Sequence, residues 1–525
     1  MSHNPTATSQ PEPIIDDPGK RRAVLIAVCI ALMAVIASVT GLNVAQPELA
    51  VDFDASQSEV LWFINLYTLS LAALLLPLGA LGDRWGRKPM LLAGLTVFGV
   101  ANAAAALANS SEMMLASRFF SGVGAAMIMP VTLAVITSTF PEEERAKGIG
   151  AWTAVGGGGG LLGMYLSAVL VDVASWRWLF AFPITLVVIA VAMTLRSVPN
   201  TREAGEHRFD TIGSLASVLA VLGLVYALHE GPVHGWNEPA TLTALAVGIA
   251  AAVGFLAWEL RAEAPLLDIR LFRDRRLATG SVSILTVFGV QAGILVVLFP
   301  FLQVVLGWSA LHATVGMLPM AVLMMASSVL APKVAARAGN RPTMALGAGL
   351  VAAGLVLMAT LISIDGGYLT VLPGMLTLGF GMGLAMTPST EAITGSLSRD
   401  KQGLASALND VTREFGTAIG VALLGAVLTA GYRNAIEPDL AQLPNDVAGP
   451  AREGLANAVA AADNLGTQSQ TLVVVAQQSF IDGWQNAMWA GGAVMAALFV
   501  YLVVRPEGRE ETDPTSSEQR HSAHT

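Results

Sequence analysis

Two stretches decide the fold: Gly79-Ala80-Leu81-Gly82-Asp83-Arg84-Trp85-Gly86-Arg87-Lys88-Pro89-Met90, and Ala331-Pro332-Lys333-Val334-Ala335-Ala336-Arg337-Ala338-Gly339-Asn340-Arg341-Pro342-Thr343-Met344. Arg, Gly, a basic residue and Pro recur at one offset of 253 residues, while the Met that follows slips by one position. Such spacing marks a decayed internal repeat, with Asp83 replaced by Ala336 in the second copy. Each copy directly follows a long apolar run. The repeating unit is therefore a set of apolar segments joined by short basic turns.

The composition agrees. Of 525 residues 54% are hydrophobic and only 13% charged, with a mean hydropathy of +0.62, far outside soluble usage. Glycine, at 52 residues, suits membrane helices whose backbones approach closely. The net charge of −9 comes from tails and hydrophilic loops, and the absence of a basic stripe argues against a nucleic-acid partner. The single cysteine, Cys29, rules out an internal disulfide and argues against a thiolate metal site. There is no P-loop, metal-spaced His/Cys set or nucleophile elbow, so neither an enzyme nor a cofactor or metal is expected.

Runs of about 18 to 25 apolar residues can each cross about 30 Å of hydrocarbon. They lie near 23–45, 59–81, 90–109, 113–136, 147–171, 177–198, 211–229, 240–260, 277–303, 311–332, 343–363, 368–392, 404–430 and 482–504. The first is preceded by Lys20, Arg21 and Arg22 as a signal peptide would be, but it is too long for one and reads as a retained helix. With the N-terminus inside, only Arg177, Arg433 and Arg452 of the 29 Lys and Arg fall outside, and Arg118 and Arg413 fall within helices. The remaining 24 are inside, which places both termini in the cytoplasm. The expected organisation is a cytoplasmic tail (1–22), a six-helix half (23–198), linkers with two extra helices (199–276), a second six-helix half (277–504) and a cytoplasmic tail (505–525). Residues 431–481 form an extracytoplasmic loop whose apolar run Thr471–Ala476 is too short to span. The extra helices, at 211–229 and 240–260, read either as packing elements or as parts of the working apparatus.

The stretch Gly79 to Met90 resembles the signature of the major facilitator superfamily: Gly, three residues, Asp-Arg, one residue, Gly-Arg-Lys. Gly79, Gly82 and Gly86 permit a tight turn, and Asp83 can pair with an arginine or cap a neighbouring helix. The resemblance implies an all-α fold with 14 transmembrane helices, two halves around a midplane substrate site, and a gating role for Gly79, Gly82, Asp83, Arg84, Gly86, Arg87 and Lys88 in one alternating-access state. In span four, Leu115-Ala116-Ser117-Arg118-Phe119-Phe120-Ser121-Gly122 is similar to the family's second motif, implying a part for Arg118 in proton coupling or substrate-site electrostatics. A membrane arginine usually faces a cavity or partner, although one this near a helix end can also snorkel to the interface.

Span five is similar to the antiporter motif of the fourteen-span drug/proton antiporter branch. Gly150, Gly159 and Gly163 match its spacing, whereas Met164 stands for its proline and Ser167-Ala168 for its paired glycines. The proline kink is lost, and Gly156 to Gly160 is left either to supply flexibility or to pack closely. In span one, Val39 to Pro47 resembles the branch's first-helix signature, but Ser38 stands where many members have a carboxylate. Ser38, Asn43, Trp62 and Tyr67 are candidates to line the substrate cavity, although a tryptophan near a span end, as Trp62 is, more often anchors at the interface.

In span thirteen the order is Asn409-Asp410-Val411-Thr412-Arg413-Glu414. Asp410 lies about 10 Å deep with Glu414 one turn further, and i, i+3 and i+4 spacing puts Asp410, Arg413 and Glu414 on one side of the helix. Burial favours the neutral carboxyl and Arg413 the carboxylate, so the set reads as a proton-coupling candidate or as a static ion-paired cluster. Leu266 to Arg273 and Asp482-Gly483 also look like this branch. The resemblance implies export of small amphipathic compounds or drugs by proton antiport across the cytoplasmic membrane. An uncoupled or differently coupled facilitator for a metabolite or lipid stands second, and a non-transporting sensor third. Expected partners are a small amphipathic substrate, protons and the lipid bilayer, with a monomer the default state.

Overall fold

The structure is a computed structural model that describes residues 14–42, 45–55, 57–201, 209–364, 366–398, 401–440, 443–462 and 469–504. Asn43 and the tail 505–525 lie outside the described residues. The helices in order are α1 (Pro18–Gly41), α2 (Gln46–Asp52), α3 (Gln57–Trp85), α4 (Arg87–Ala106), α5 (Ser111–Thr139), α6 (Glu142–Val173), α7 (Trp178–Ser197), α8 (Thr211–His234) and α9 (Pro239–Glu259). They continue with α10 (Arg275–Pro300), α11 (Ala310–Ala338), α12 (Asn340–Thr360), α13 (Tyr368–Gly395), α14 (Gln402–Leu440), α15 (Asn445–Glu453), α16 (Leu455–Ala462) and α17 (Ser469–Val504). No strand occurs among the described residues.

Fourteen of these helices are long and apolar enough to cross a membrane, and all fourteen coincide with runs expected from hydropathy. Their ends differ where capping outweighs hydropathy. α1 starts at Pro18, ahead of the apolar run, because the Asp17 carboxylate accepts from the Gly19 amide (2.8 Å) and Pro18 has its backbone preset for a first turn. Fourteen crossings leave Pro18 and Val504 at one end of the bundle, with the turns after α3 and α11. This end is called the basic face below.

The largest correction concerns the expected loop 431–481, most of whose described residues are helical. α14 continues to Leu440 and α17 begins at Ser469, so Thr471–Ala476 forms the opening turns of a long helix. Tyr432, Ile436 and Leu440 repeat every four residues along one buried face of α14, and α16 (Leu455, Ala458) and the start of α17 (Leu472, Ala476) add to the same core. The Tyr432 hydroxyl donates to the Ala451 carbonyl (2.8 Å), and Arg452 holds Glu437 through two bonds (2.7 and 2.9 Å). Averaged hydropathy misses an amphipathic continuation of this kind because its polar face cancels the apolar one.

The repeat is reproduced in backbone and packing. One glycine separates α3 from α4 and one separates α11 from α12, each with positive φ: Gly86 at 109° and Gly339 at 92°. Only glycine takes this conformation cheaply, which explains its recurrence at both turns. In the first half α1 packs on α6, α3 on α5, α4 on α5 and α7; in the second α10 packs on α14, α11 on α13, α12 on α13 and α17. The halves meet through α3 with α14 and α6 with α11, contacts related by the same exchange of halves. α8 and α9 pair with each other, and α8 also packs on α3 and α14, bridging the two halves.

Candidate functional site

At the basic face the gating-motif residues form a clasp between the halves. Asp83, 2% exposed near the end of α3, accepts from the backbone amides of Gly403 (2.8 Å) and Leu404 (2.9 Å) in the first turn of α14. A carboxylate there meets free amides at the positive end of a helix dipole. The fully buried Arg87 donates to the same carboxylate through Nε (3.1 Å) and Nη2 (2.9 Å), and its Nη1 donates to the Thr201 hydroxyl (3.1 Å). Both physical roles open to Asp83, pairing an arginine and capping a helix, are therefore filled at once. The close approach needs glycine on each side: a Cβ at Gly79 would stand 2.6 Å from the Ala407 Cβ, and one at Gly403 2.6 Å from Asp83 Oδ1. Lys88 donates to the Leu195 carbonyl at the end of α7 (2.9 Å), while Arg84 is exposed and Gly82 lies buried under Val131.

Within the first half a polar chain crosses the core. Arg118 is wholly buried, which removes the snorkelling alternative. Its Nε donates to the Phe63 carbonyl (2.9 Å), Nη1 to the Ser38 hydroxyl (3.1 Å) and Nη2 to the Ser38 carbonyl (3.3 Å), and its guanidinium lies 4.3 Å from the Tyr67 ring centre. Ser38 then donates to Asn102 Oδ1 (3.1 Å), and Asn102 to the Phe98 carbonyl (2.8 Å). A buried cation without a carboxylate must be held by such neutral acceptors and an aromatic face. Ser38 and Tyr67, two of the cavity candidates, thus lie inside the first half as parts of the arginine's cage. Trp62 lies against Tyr226 of α8 (ring centres 5.7 Å apart).

In α14 the expected set shares one side. Asp410 is wholly buried and Arg413 nearly so, with Arg413 Nη1 3.8 Å from Asp410 Oδ1 and Nη2 3.2 Å from Glu414 Oε1. Asn409 donates weakly to Asp410 Oδ1 (3.4 Å), leaving Asp410 Oδ2 buried without a partner. Arg413 Nη2 also lies 3.6 Å from the Met129 sulfur on α5, across the boundary between halves. A change of charge in this set is therefore felt at that boundary.

α6 runs unbroken through Gly156 to Gly160, so the missing proline is not replaced by a break. A Cβ at Gly150 would meet the Ser328 carbonyl and Pro332 of α11, and one at Gly159 the Met33 sulfur of α1; Gly163 is buried. This face serves close packing on both sides.

Sequence reading passed over three further groups. Glu391 is the lone acid of α13. An isolated intramembrane acid is itself the signal that singles it out. Asp210 caps α8 and accepts from the Trp258 indole of α9 (3.0 Å), which ties the extra pair together, while Glu259 at the end of α9 accepts from the Leu267 amide of the following linker (3.0 Å). His229 on α8 is half-buried.

The chain resembles known proteins over nearly its whole length. It is 31% identical over 491 residues to the methyl viologen resistance protein SmvA of Salmonella typhimurium, covering 91% of this chain and 96% of that one. It is 32% identical over 510 residues to the tetracenomycin C resistance and export protein of Streptomyces glaucescens, covering 94% of both, and 30% identical over 485 residues to the multidrug efflux pump LfrA of Mycolicibacterium smegmatis, covering 92% and 95%. Among solved structures the fold matches the human organic anion transporter MFSD10 (TM-score 0.62, 15% identity, 93% of this chain and 100% of that one) and the proton:xylose symporter XylE (TM-score 0.56, 14% identity, 93% and 96%). The sequence pattern of the Major Facilitator Superfamily matches residues 28–421, and with fourteen spans in two repeated halves the chain is a membrane transporter belonging to that superfamily.

Proposed function

We propose that this chain exports small amphipathic compounds or drugs by alternating access, driven by inward movement of protons. The observation that carries export is its likeness, over more than nine-tenths of its length, to proteins named for resistance and efflux. The basic face lies in the cytoplasm, because basic residues are retained there, and the protein works as a monomer in the cytoplasmic membrane. Its working parts are a first half (23–198) and a second (277–504), joined by linkers and the extra pair (199–276). The Asp83 clasp supports a state closed on the cytoplasmic side and open, or ready to open, outward.

Proton coupling is assigned to α14. With Asp410 and Glu414 ionised, Arg413 is held by two anions; a proton on either weakens its tether and alters the contact with Met129. The expected inter-half effect follows because a buried charge tracks its partners closely. A second reading, an uncoupled facilitator, draws on one observation: Arg118 is caged by Ser38 and other neutral groups, with no first-helix carboxylate.

The deciding experiment reconstitutes the purified protein in proteoliposomes and follows methyl viologen flux together with lumenal pH. Antiport predicts uphill flux under an imposed pH gradient, with counter-movement of protons, and at least tenfold slower coupled flux in Asp410→Asn and Glu414→Gln. Flux that ignores the gradient in the parent protein favours the facilitator. Coupling that survives both substitutions removes α14 as the proton carrier.

A further inference from the structure

We propose that Asp210 and Glu259 bind one proton between them and so form a latch that fastens the extra helices to the linker leading into the second half. The site is separate from the α14 set and stands whether or not transport is coupled there.

The two acids come from the basic-face ends of the extra pair: Asp210 caps the first turn of α8, and Glu259 is the last residue of α9. Asp210 Oδ1 accepts from the Gly213 amide (2.8 Å), and the Trp258 indole donates to both Asp210 oxygens (3.0 Å each). Trp258 and Glu259 are consecutive, so the end of α9 is held against the Asp210 carboxylate. Gly213 shows how closely: a Cβ there would collide with Glu259 Oε1 and stand 2.5 Å from Asp210 Oδ2. These two oxygens therefore flank one point. Glu259 is 2% exposed, and its Oε1 is buried with no donor among the described residues. Two acceptors side by side, away from water, are stabilised by keeping one proton, with an O–H on one carboxyl donating to the other. That proton belongs to the pair rather than to either acid. It removes the like-charge repulsion and satisfies the unpaired oxygen together.

No cation among the described residues takes the proton's place. α9 packs on α8, and α8 on α3 and α14. At its basic-face end α3 carries Asp83, bound to Arg87 and α14, and the exposed Arg84; Lys401 stands just ahead of α14. The linker after α9 carries the exposed Arg261, Glu263 and Arg270, and Arg270 donates to the Leu260 carbonyl (3.1 Å). Asp268 in the same linker accepts from the Arg270 amide (3.0 Å). Arg202, Glu203, Glu206, His207 and Arg208, which precede Asp210, lie outside the described residues.

The second Glu259 oxygen carries the latch to the linker. Oε2 accepts from the Leu267 amide (3.0 Å), and Leu266 and Leu267 are buried in the cluster that includes Leu277 of α10 and Leu404 of α14. Leu404 is also the residue whose amide Asp83 accepts, so the latch and the clasp share one apolar support. With the proton bound, a single carboxyl joins α8, α9 and the linker. When a base in the water at the basic face removes it, the carboxyl O–H bond breaks, the proton passes to that base, and two anions repel across one point. The tie is complete at low pH and weakens as pH rises.

The test uses full-length protein in liposomes and no transported compound. Infrared difference spectra are recorded between about pH 5 and about pH 9, a range that spans buried carboxyl pairs. A shared proton predicts one carboxyl stretch that is lost on the alkaline side and is absent from both Asp210→Asn and Glu259→Gln, because neither acid holds the proton without the other. In parallel, spin labels at Ile212→Cys and Phe272→Cys, both exposed, in a Cys29→Ser background report the distance from the start of α8 to the linker. The distribution is expected to broaden at least twofold at high pH, and in Glu259→Gln, whose amide donates permanently, to keep its low-pH form throughout. Contact by packing alone gives neither the pH dependence nor its removal by glutamine. The latch is overturned by the lack of any titrating band common to both acids, including the case in which a bound metal cation replaces the proton. A pH-dependent distance that persists in Glu259→Gln overturns it equally.

Discussion

Asp83 is the residue on which the contact between halves turns most directly, since one carboxylate serves Arg87, Gly403 and Leu404 together. Replacing it by Asn removes the negative charge that Arg87 and the two amides of α14 share, a loss worth about 3–5 kcal/mol when one partner of a buried pair is removed. That loss falls only on the state in which α3 and α14 meet at the basic face, so it shifts the conformational balance. A change of 3 kcal/mol is more than a hundredfold in an equilibrium constant. With spin labels at Trp85→Cys and Ser398→Cys in a Cys29→Ser background, Asp83→Asn is expected to broaden and lengthen the distance distribution measured by electron resonance. An unchanged distribution would show that the clasp does not hold the halves. The chemistry of this residue was legible in the sequence, because a carboxylate among glycines and basic residues at a turn has few uses. Ser38 was not legible in the same way. Its residue type marks only a missing acid, whereas the bonds that make it the acceptor for Arg118 span 80 positions and arise from helix packing.

At the scale of elements, the short helix α2 shows how a local tie depends on pH. Its last residue, Asp52, accepts from the Trp176 indole (2.7 Å) and from Arg177 (3.1 Å) at the turn between α6 and α7. The indole hydrogen bond first, and then Arg177, holds the Asp52 carboxyl below the ordinary carboxylate range. A lowered native value means that the tie is fully present above the unfolded value of about 3.9 and is lost as pH falls through the native one. Because the Asp52 side chain is 43% exposed, its contribution is small, about 0.5 kcal/mol after screening. Trp176 fluorescence is expected to change as pH drops below about 4, and Asp52→Asn to show the low-pH signal throughout. A transition that survives Asp52→Asn would assign it to another group. The spans were legible as elements because about 20 apolar residues in a row have one stable environment. The outer turns of α14 and α17 were not, since their stability comes from contacts with α15 and α16 that hydropathy does not register.

For the whole molecule, the repeat of Arg, Gly, a basic residue and Pro at an offset of 253 anticipated two halves built alike, and the matching positive φ at Gly86 and Gly339 explains why those positions stayed alike while Asp83 and Ala336 diverged. The position of α8 across the seam between halves was beyond sequence reading, because nothing in an apolar run names its neighbours. Orientation is the remaining property of the whole chain that charge alone predicts. Each basic residue retained on the cytoplasmic side adds to one bias, and the sum over many loops outweighs any single exception. Glu453, at the end of α15, and Phe272, beside Arg273 in the linker before α10, are both exposed and lie on opposite faces. In a Cys29→Ser background, a membrane-impermeant thiol reagent applied to intact cells should label Glu453→Cys and spare Phe272→Cys until the membrane is permeabilised. The reverse pattern would place the basic face outside, and with it the Asp83 clasp, turning the proposed direction of transport around.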